Sequence, residues 1–444
     1  MNKNSLYITI ALLILVGATG LALFYAYLTK TDAESRKTKT FDPLVLDGSS
    51  GGSGGAFSND KSSSANEEVL PLPKDGDTPG LTPVEKPTDT PVTTPKTEPE
   101  KKNTKPMLER IYDAPVAGFT VLNDGTAGTV RLTERTRGNI IDIDIATKKS
   151  ARVTNTTVAG VFESYFNTDG TQVILRYLDE DDSILTLGSP ISELKEQPAD
   201  TTASLAETGI GSYLPINIKN IAVSGDAIAY ATATEDGTTQ IVISDFTGSK
   251  PKRVWKNPLS GWQLHWPQKN ILVITQNASA KIPGYAYSID TKTGVTKKLI
   301  GDTRALTLMY SSFSNSAIIG SNSDTSAQTV RIRNFTDSTE RTVSTPTIPE
   351  KCVYLVATQL VCGFPKVLPS GMPDVWYRGE VTLSDTFSVI ETVTGSVTEI
   401  INTTNVADNG LDATHLVTSL DGKRVFFIDK TSGTLWMLTF ADEA

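Results

Sequence analysis

Histidine and cysteine are scarce in this chain: two of each in 444 residues, His265 and His415, Cys352 and Cys362. A histidine-rich zinc site or a facial iron site has almost no ligands to draw on, so no metal or cofactor is expected. A strong charge of either sign is also missing. The formal net charge is −9, with 41 basic and 50 acidic residues scattered along the chain. No basic stripe with interleaved aromatics is present, which argues against a nucleic-acid partner. There is no Gly-x-Ser-x-Gly elbow, no phosphate-binding loop and no dinucleotide fingerprint.

Charge is absent altogether from Leu6 to Leu28. That run is long enough to span the ~30 Å hydrocarbon core of a bilayer. Phe24, Tyr25 and Tyr27 cluster at one end as an interfacial belt. A cleaved signal peptide is the alternative, but its apolar core is usually shorter, and no small-x-small cleavage site precedes the charged segment. Residues 1–5 are then a short flank and 6–28 a transmembrane anchor. Lys30, Arg36, Lys37 and Lys39 follow the span and, counted simply, would place what comes after it in the cytoplasm; long domains, however, translocate largely regardless of flanking charge.

Residues 29–106 read as a tether. Gly48-Ser49-Ser50-Gly51-Gly52-Ser53-Gly54-Gly55 is a flexible linker. Pro79, Pro83, Pro87, Pro91, Pro95 and Pro99 then recur every fourth residue among Thr, Lys and Glu, favouring extended polyproline II over a packed core. At that rise residues 71–106 would reach on the order of 110 Å.

From Met107 the composition changes to alternating β-branched and aromatic residues punctuated by Gly turns. The clearest unit is the last: Ser419-Leu420-Asp421-Gly422-Lys423, the strand Arg424–Ile428, the turn Thr431-Ser432-Gly433 and the strand Leu435–Leu438. Six fainter copies precede it, centred on 118–145, 167–177, 221–243, 264–294, 312–332 and 353–395. Each makes three or four short antiparallel strands, which cannot bury both faces alone; radial stacking solves this. Residues 107–444 divided by seven give about 48 per unit, within the usual range for blade repeats. The last unit lacks a fourth strand, whereas Leu108-Glu109-Arg110-Ile111-Tyr112 is a strand with no unit of its own. Residues 108–112 are therefore expected to complete the last blade and latch the ring. The expected fold is all-β, a seven-bladed β-propeller of four-stranded blades over 107–444, with six or eight blades as the alternatives.

The Ser-x-Asp-Gly-Lys turn, apolar strand, Gly turn and Trp-containing strand of Ser419–Trp436 resemble the repeats of TolB-type, WD-like β-propellers. Asp169-Gly170 and Ser224-Gly225-Asp226 match in part, and the other units only in pattern. The resemblance implies the fold and no particular activity. The order of apolar helix, Pro-rich tether and cysteine-bearing propeller, with Trp266-Pro267, Pro283-Gly284-Tyr285, Pro349-Glu350-Lys351-Cys352 and Trp376-Tyr377-x-Gly379, also resembles membrane-anchored propeller proteins of small-genome bacteria. That resemblance supports the architecture only.

Cys352 and Cys362 fall on two strands of the sixth unit, equidistant from residue 357 in the turn between them, and so face each other. A cross-strand disulfide there would contribute roughly 2–3 kcal/mol; two buried thiols are the alternative. A disulfide needs an oxidising compartment, which places the propeller outside the cytoplasm. Long connections within the fourth unit (276–283) and the sixth (365–379) emerge on one face, with the segment before Trp262. Trp262, Tyr285, Asp374, Trp376, Tyr377 and Arg378 are the candidate ligand-binding residues, because Trp, Tyr and Arg dominate binding hot spots. The competing reading buries these aromatics under their own loops. Asp179-Glu180-Asp181-Asp182 lacks the spacing of a Ca²⁺ loop and reads as a solvated turn. His265 and His415 read as core or channel histidines.

The sequence thus points to a single-pass, extracytoplasmic, monomeric propeller head. It is expected to bind a protein or a cell-envelope polymer rather than to act as an enzyme. A hydrolase of glycans or peptides with carboxylates in the channel is the alternative.

Overall fold

A computed structural model describes residues 105–122, 128–155, 157–179, 181–195, 211–322 and 328–441. The expected anchor and all of the tether up to residue 104 lie outside the described residues. Strand β1 (Met107–Tyr112) opens the described chain. Blade 1 follows as β2 (Val116–Leu122), β3 (Thr129–Glu134), β4 (Ile140–Asp144) and β5 (Ser150–Arg152). Blade 2 is β6 (Val161–Phe166), β7 (Gln172–Leu178), β8 (Ile184–Pro190), a short helix α1 (Ile191–Lys195) and β9 (Ser212–Tyr213). Blade 3 is β10 (Ile218–Ser224), β11 (Ala227–Ala233), β12 (Thr239–Asp245) and β13 (Lys252–Asn257). Blade 4 is β14 (Trp262–Gln268), β15 (Ile271–Gln276), β16 (Pro283–Asp290) and β17 (Thr296–Arg304). Blade 5 is β18 (Thr307–Tyr310), β19 (Ser316–Asn322), β20 (Gln328–Asn334) and β21 (Glu340–Val343). Blade 6 is β22 (Cys352–Val356), β23 (Gln359–Pro365), a helical turn α2 (Asp374–Tyr377), β24 (Asp385–Glu391) and β25 (Val397–Asn402). Blade 7 holds β26 (Ala413–Thr418), β27 (Arg424–Asp429) and β28 (Leu435–Thr439).

The seventh blade is completed from the other end of the domain. Its strand order is β1-β28-β27-β26, antiparallel throughout, with Leu108 opposite Leu438 and Arg110 opposite Trp436. The ring is therefore latched as the orphan strand before blade 1 implied, and the count is seven blades of four strands.

Period-two alternation explains where the core lies. Each blade turns apolar residues from both faces toward its neighbours, so the core is divided into seven inter-blade layers. Val116, Val130, Leu132 and Ile143 of blade 1 meet Phe426, Ile428, Leu435 and Met437 of blade 7. Phe387 of blade 6 packs on Phe427 of blade 7, with ring centroids 4.9 Å apart. At one place the approach excludes a side chain: a Cβ at Gly188 would stand 1.7 Å from the carbonyl oxygen of Phe246 in the next blade. The repeated turns set the strand ends. In the turn after β16, the Asp290 carboxylate accepts the amide N–H groups of Lys292 and Thr293 and the Thr293 hydroxyl, and Gly294 takes φ 76°. Those donations hold the Asp290 carboxyl below its ordinary range.

Candidate functional site

Antiparallel connectivity sorts the loops by face. Connections between the second and third strands of a blade, and those between blades, emerge on one face; first-to-second and third-to-fourth turns emerge on the other. The first face carries 277–282 of blade 4, 366–384 of blade 6 and 403–412 between blades 6 and 7.

The blade 6 connection folds on itself. Met372, Trp376 and Leu383 pack with Ile348 into a small separate core, flanked by Leu368, Val375, Tyr377 and Val381. The Met372–Pro373 peptide is cis. From this platform the loop reaches over the fifth blade: the Asp374 Oδ2 accepts the amide N–H of Ala280 in the blade 4 loop at 2.7 Å. Beneath it, Asn322 at the end of β19 donates to the Met372 carbonyl at 3.4 Å. The two long loops are thus joined across blade 5.

Of the six candidate residues, Asp374 makes that joint. The aromatic rings turn inward instead. Trp376 is 4% exposed, and its indole N–H donates to both carboxylate oxygens of Asp412 at 3.0 Å. Lys351 Nζ and Lys430 Nζ lie 5.2 and 4.2 Å from its ring centroid, cation–π contacts. Trp262 is 3% exposed in the layer between blades 3 and 4; it packs edge-on against Trp255 at 4.9 Å and donates to the Leu259 carbonyl. Tyr377 is half-buried and its hydroxyl donates to Glu350. Burial pushes the Tyr377 hydroxyl and the Glu350 carboxyl up; the Tyr377 hydrogen bond pulls Glu350 back. Tyr285 is half-buried in β16, its ring close to Gly301 of the neighbouring β17. Arg378 is exposed and paired with Glu380. Exposed aliphatic side chains on the loop face include Val367 in the blade 6 loop and Ile282 in the blade 4 loop, 71% and 69% exposed, with Ile216 and Leu259 between blades.

Beneath Trp376 lies a buried charge network that sequence reasoning missed. Lys351 is fully buried; its Nζ donates to Asp385 Oδ2 at 2.7 Å, to Asp412 Oδ1 at 2.5 Å and to the Ala413 carbonyl at 3.3 Å. The Asp385 Oδ2 also accepts the Ala413 amide N–H at 2.8 Å, whereas its Oδ1 is buried with no partner. Burial raises the Asp385 carboxyl above the ordinary range, against the opposing pull of Lys351. The Pro349-Glu350-Lys351-Cys352 string and Trp376 were the sequence signals near this network; the distant Asp385 and Asp412 gave none.

The first strands of neighbouring blades touch around the axis. There Glu163 of β6 accepts hydrogen bonds from Tyr165 and from Arg176, whose guanidinium also reaches the Ile218 carbonyl at 2.9 Å. His265 shares a 3.1 Å hydrogen bond with the Tyr310 carbonyl of the next blade. His415 stands at φ 53°, solvent-accessible but crowded by protein; burial lowers its pKa and Glu163 opposes this. The acidic stretch forms a turn in which Asp179 accepts the amide N–H groups of Asp181 and Ser183; Glu180 lies outside the described residues. Among the described residues no three His, Cys, Asp or Glu side chains are grouped to hold a metal. A groove of about 360 Å³ lies on the opposite face between blades 5 and 6. Its Asp337 and Arg341 are occupied by turn and backbone hydrogen bonds.

Cys352 and Cys362 stand directly opposite each other in the ladder and are disulfide-bonded, fully buried in the layer between blades 5 and 6.

Fold and loops together define a seven-bladed β-propeller. No protein family matches the chain, and no curated protein matches it. Solved structures do. An oligogalacturonate lyase from Vibrio parahaemolyticus is 8% identical over 75% of this chain and 93% of its own, with a TM-score of 0.49. An oligogalacturonate lyase in complex with manganese is 10% identical over 77% and 99%, TM-score 0.46. TolB from Acinetobacter baumannii is 11% identical over 64% and 63%, TM-score 0.39. At such identities the likeness is one of fold.

Proposed function

We propose that the chain is a membrane-anchored, extracytoplasmic propeller whose loop-rich face binds another protein. The observation that carries this reading is the Asp374–Ala280 joint, which unites two long loops over blade 5 while leaving Val367 and Ile282 exposed on them. Exposed aliphatic residues on a fixed loop platform suit a protein surface. Stacking on a sugar ring would require exposed aromatic faces, and Trp262 and Trp376 are buried, so a cell-envelope polymer is the lesser reading. A channel hydrolase receives less support still: Glu163 is neutralised by Arg176, and Asp385 and Asp412 both hold Lys351 without solvent exposure. The extracytoplasmic placement rests on the disulfide, which belongs in an oxidising compartment.

The test is site-specific photocrosslinking in cells carrying the full chain. A photoreactive residue at Val367 or Ile282 should give discrete protein adducts, and one at Val295 on the opposite face should not. A polymer ladder in place of discrete adducts would point to the envelope polymer. Equal adducts from both faces, or none from the loop face, would remove the reading.

A further inference from the structure

We propose that Lys351 and Asp385 become joined by an intramolecular amide bond, formed in the folded protein with Asp412 as the proton carrier. Lys351 and Asp385 are 0% exposed and Asp412 is 1% exposed, and the Lys351 Nζ stands 2.7 Å and 2.5 Å from their respective carboxylate oxygens. The indole of Trp376 covers the amine and closes the site toward the loop core of Met372 and Leu383.

Charge is expensive in such a site. An ammonium and a carboxylate held out of water can lower their cost by passing one proton across, leaving a neutral amine beside a carboxylic acid. Those are the reactive forms for amide formation. Folding supplies the proximity that would otherwise be the barrier, and burial excludes the water that would hydrolyse the product.

The two carboxyls are not equivalent. Asp412 is fixed from three sides, accepting from Lys351, from the Trp376 indole and from the Leu383 amide at 3.0 Å. Asp385 accepts through Oδ2 alone, and its Oδ1 has no partner. Asp385 is therefore the acyl donor. Nζ and the Ala413 amide N–H both hold Oδ2, so Oδ2 takes the first proton and becomes the hydroxyl that leaves. Burial, which raises its pKa, favours the acid form that the reaction needs.

The step balances without a co-reactant. One Nζ proton passes to the Asp385 carboxylate. The free amine attacks Cγ, and a C–N bond forms. Nζ gives a second proton to Asp412, which delivers it to the hydroxyl leaving Cγ. The C–O bond breaks, one water departs and Asp412 returns to a carboxylate. The product ties the residue preceding β22 to the first residue of β24, next to the Cys352–Cys362 bridge between β22 and β23.

The experiment is peptide mapping of the purified full chain after reduction, denaturation and trypsin digestion. The expected result is a branched peptide containing Lys351 and Asp385, lighter than its two parts by one water, with no cleavage after Lys351. Asp385→Asn should lose ammonia instead, and Asp412→Ala should leave the two peptides separate. Quantitative cleavage after Lys351 in the native sequence, giving two linear peptides of full mass, would overturn the proposal and leave an ordinary buried ion pair. A branch at Asp412 would overturn the assignment of the two carboxyl roles. The native protein decides the matter even if a variant fails to fold.

Discussion

Burial lowers the pKa of His265, and the hydrogen bond with the Tyr310 carbonyl opposes that only in part. The neutral ring is favoured in the folded state, so the unfolded chain takes up its proton first as pH falls. The contribution of His265 to stability is fully present above the unfolded value of about 6.5 and is lost as pH falls through the folded one. Thermal unfolding of the wild type and His265→Gln between pH 8 and pH 5 should show the wild type losing midpoint relative to the variant on acidification. A constant gap would mean that His265 does not titrate differently in the two states. The residue scale was also the least legible in the sequence. Trp262 and Trp376 sit next to long loops, and sequence position cannot distinguish a ring facing a ligand from one facing Leu259 or Asp412. Lys351 reads as an ordinary charged residue until Asp385 of β24 and Asp412 of the connection before β26 arrive beside it. The disulfide was legible because its partners pair within one hairpin, where register follows from counting.

At the scale of elements, loop length was informative and loop conformation was not. The connections in blades 4 and 6 stand out as segments without alternation, and topology puts them on one face. What joins them is a single carboxylate at the start of α2. Asp374→Ala removes the acceptor for the Ala280 amide at a cost of about 1 kcal/mol, the usual worth of one hydrogen bond. The blade 6 loop should stay folded, because its own core of Met372, Trp376 and Leu383 is untouched. Hydrogen exchange should therefore quicken at residues 279–282 and remain unchanged at 374–378. If both segments quicken together, the loops fold as one unit and Asp374 supports more than the joint. Adduct formation from Ile282 should weaken in the same variant, because the platform would no longer be held together.

For the whole molecule, closure is the controlling feature, and it was readable from the mismatch between a last repeat with one strand too few and a first strand with no repeat. Deleting β1 does more than remove six residues. It exposes the β28 edge, uncovers Leu438 and Trp436, and takes Leu108 from the layer shared with blade 6. An unpaired edge of that kind invites pairing with another chain, so a chain lacking residues 107–112 should self-associate more strongly than the intact propeller at the same concentration. Even the milder Leu108→Ala should cost about 2–4 kcal/mol, since the side chain is 6% exposed and enclosed. A synthetic peptide spanning 105–113, added to the truncated protein, should restore the association state of the intact propeller and a single cooperative melt. An unchanged melting midpoint after truncation would show that blade 7 is stable with three strands and that closure contributes little.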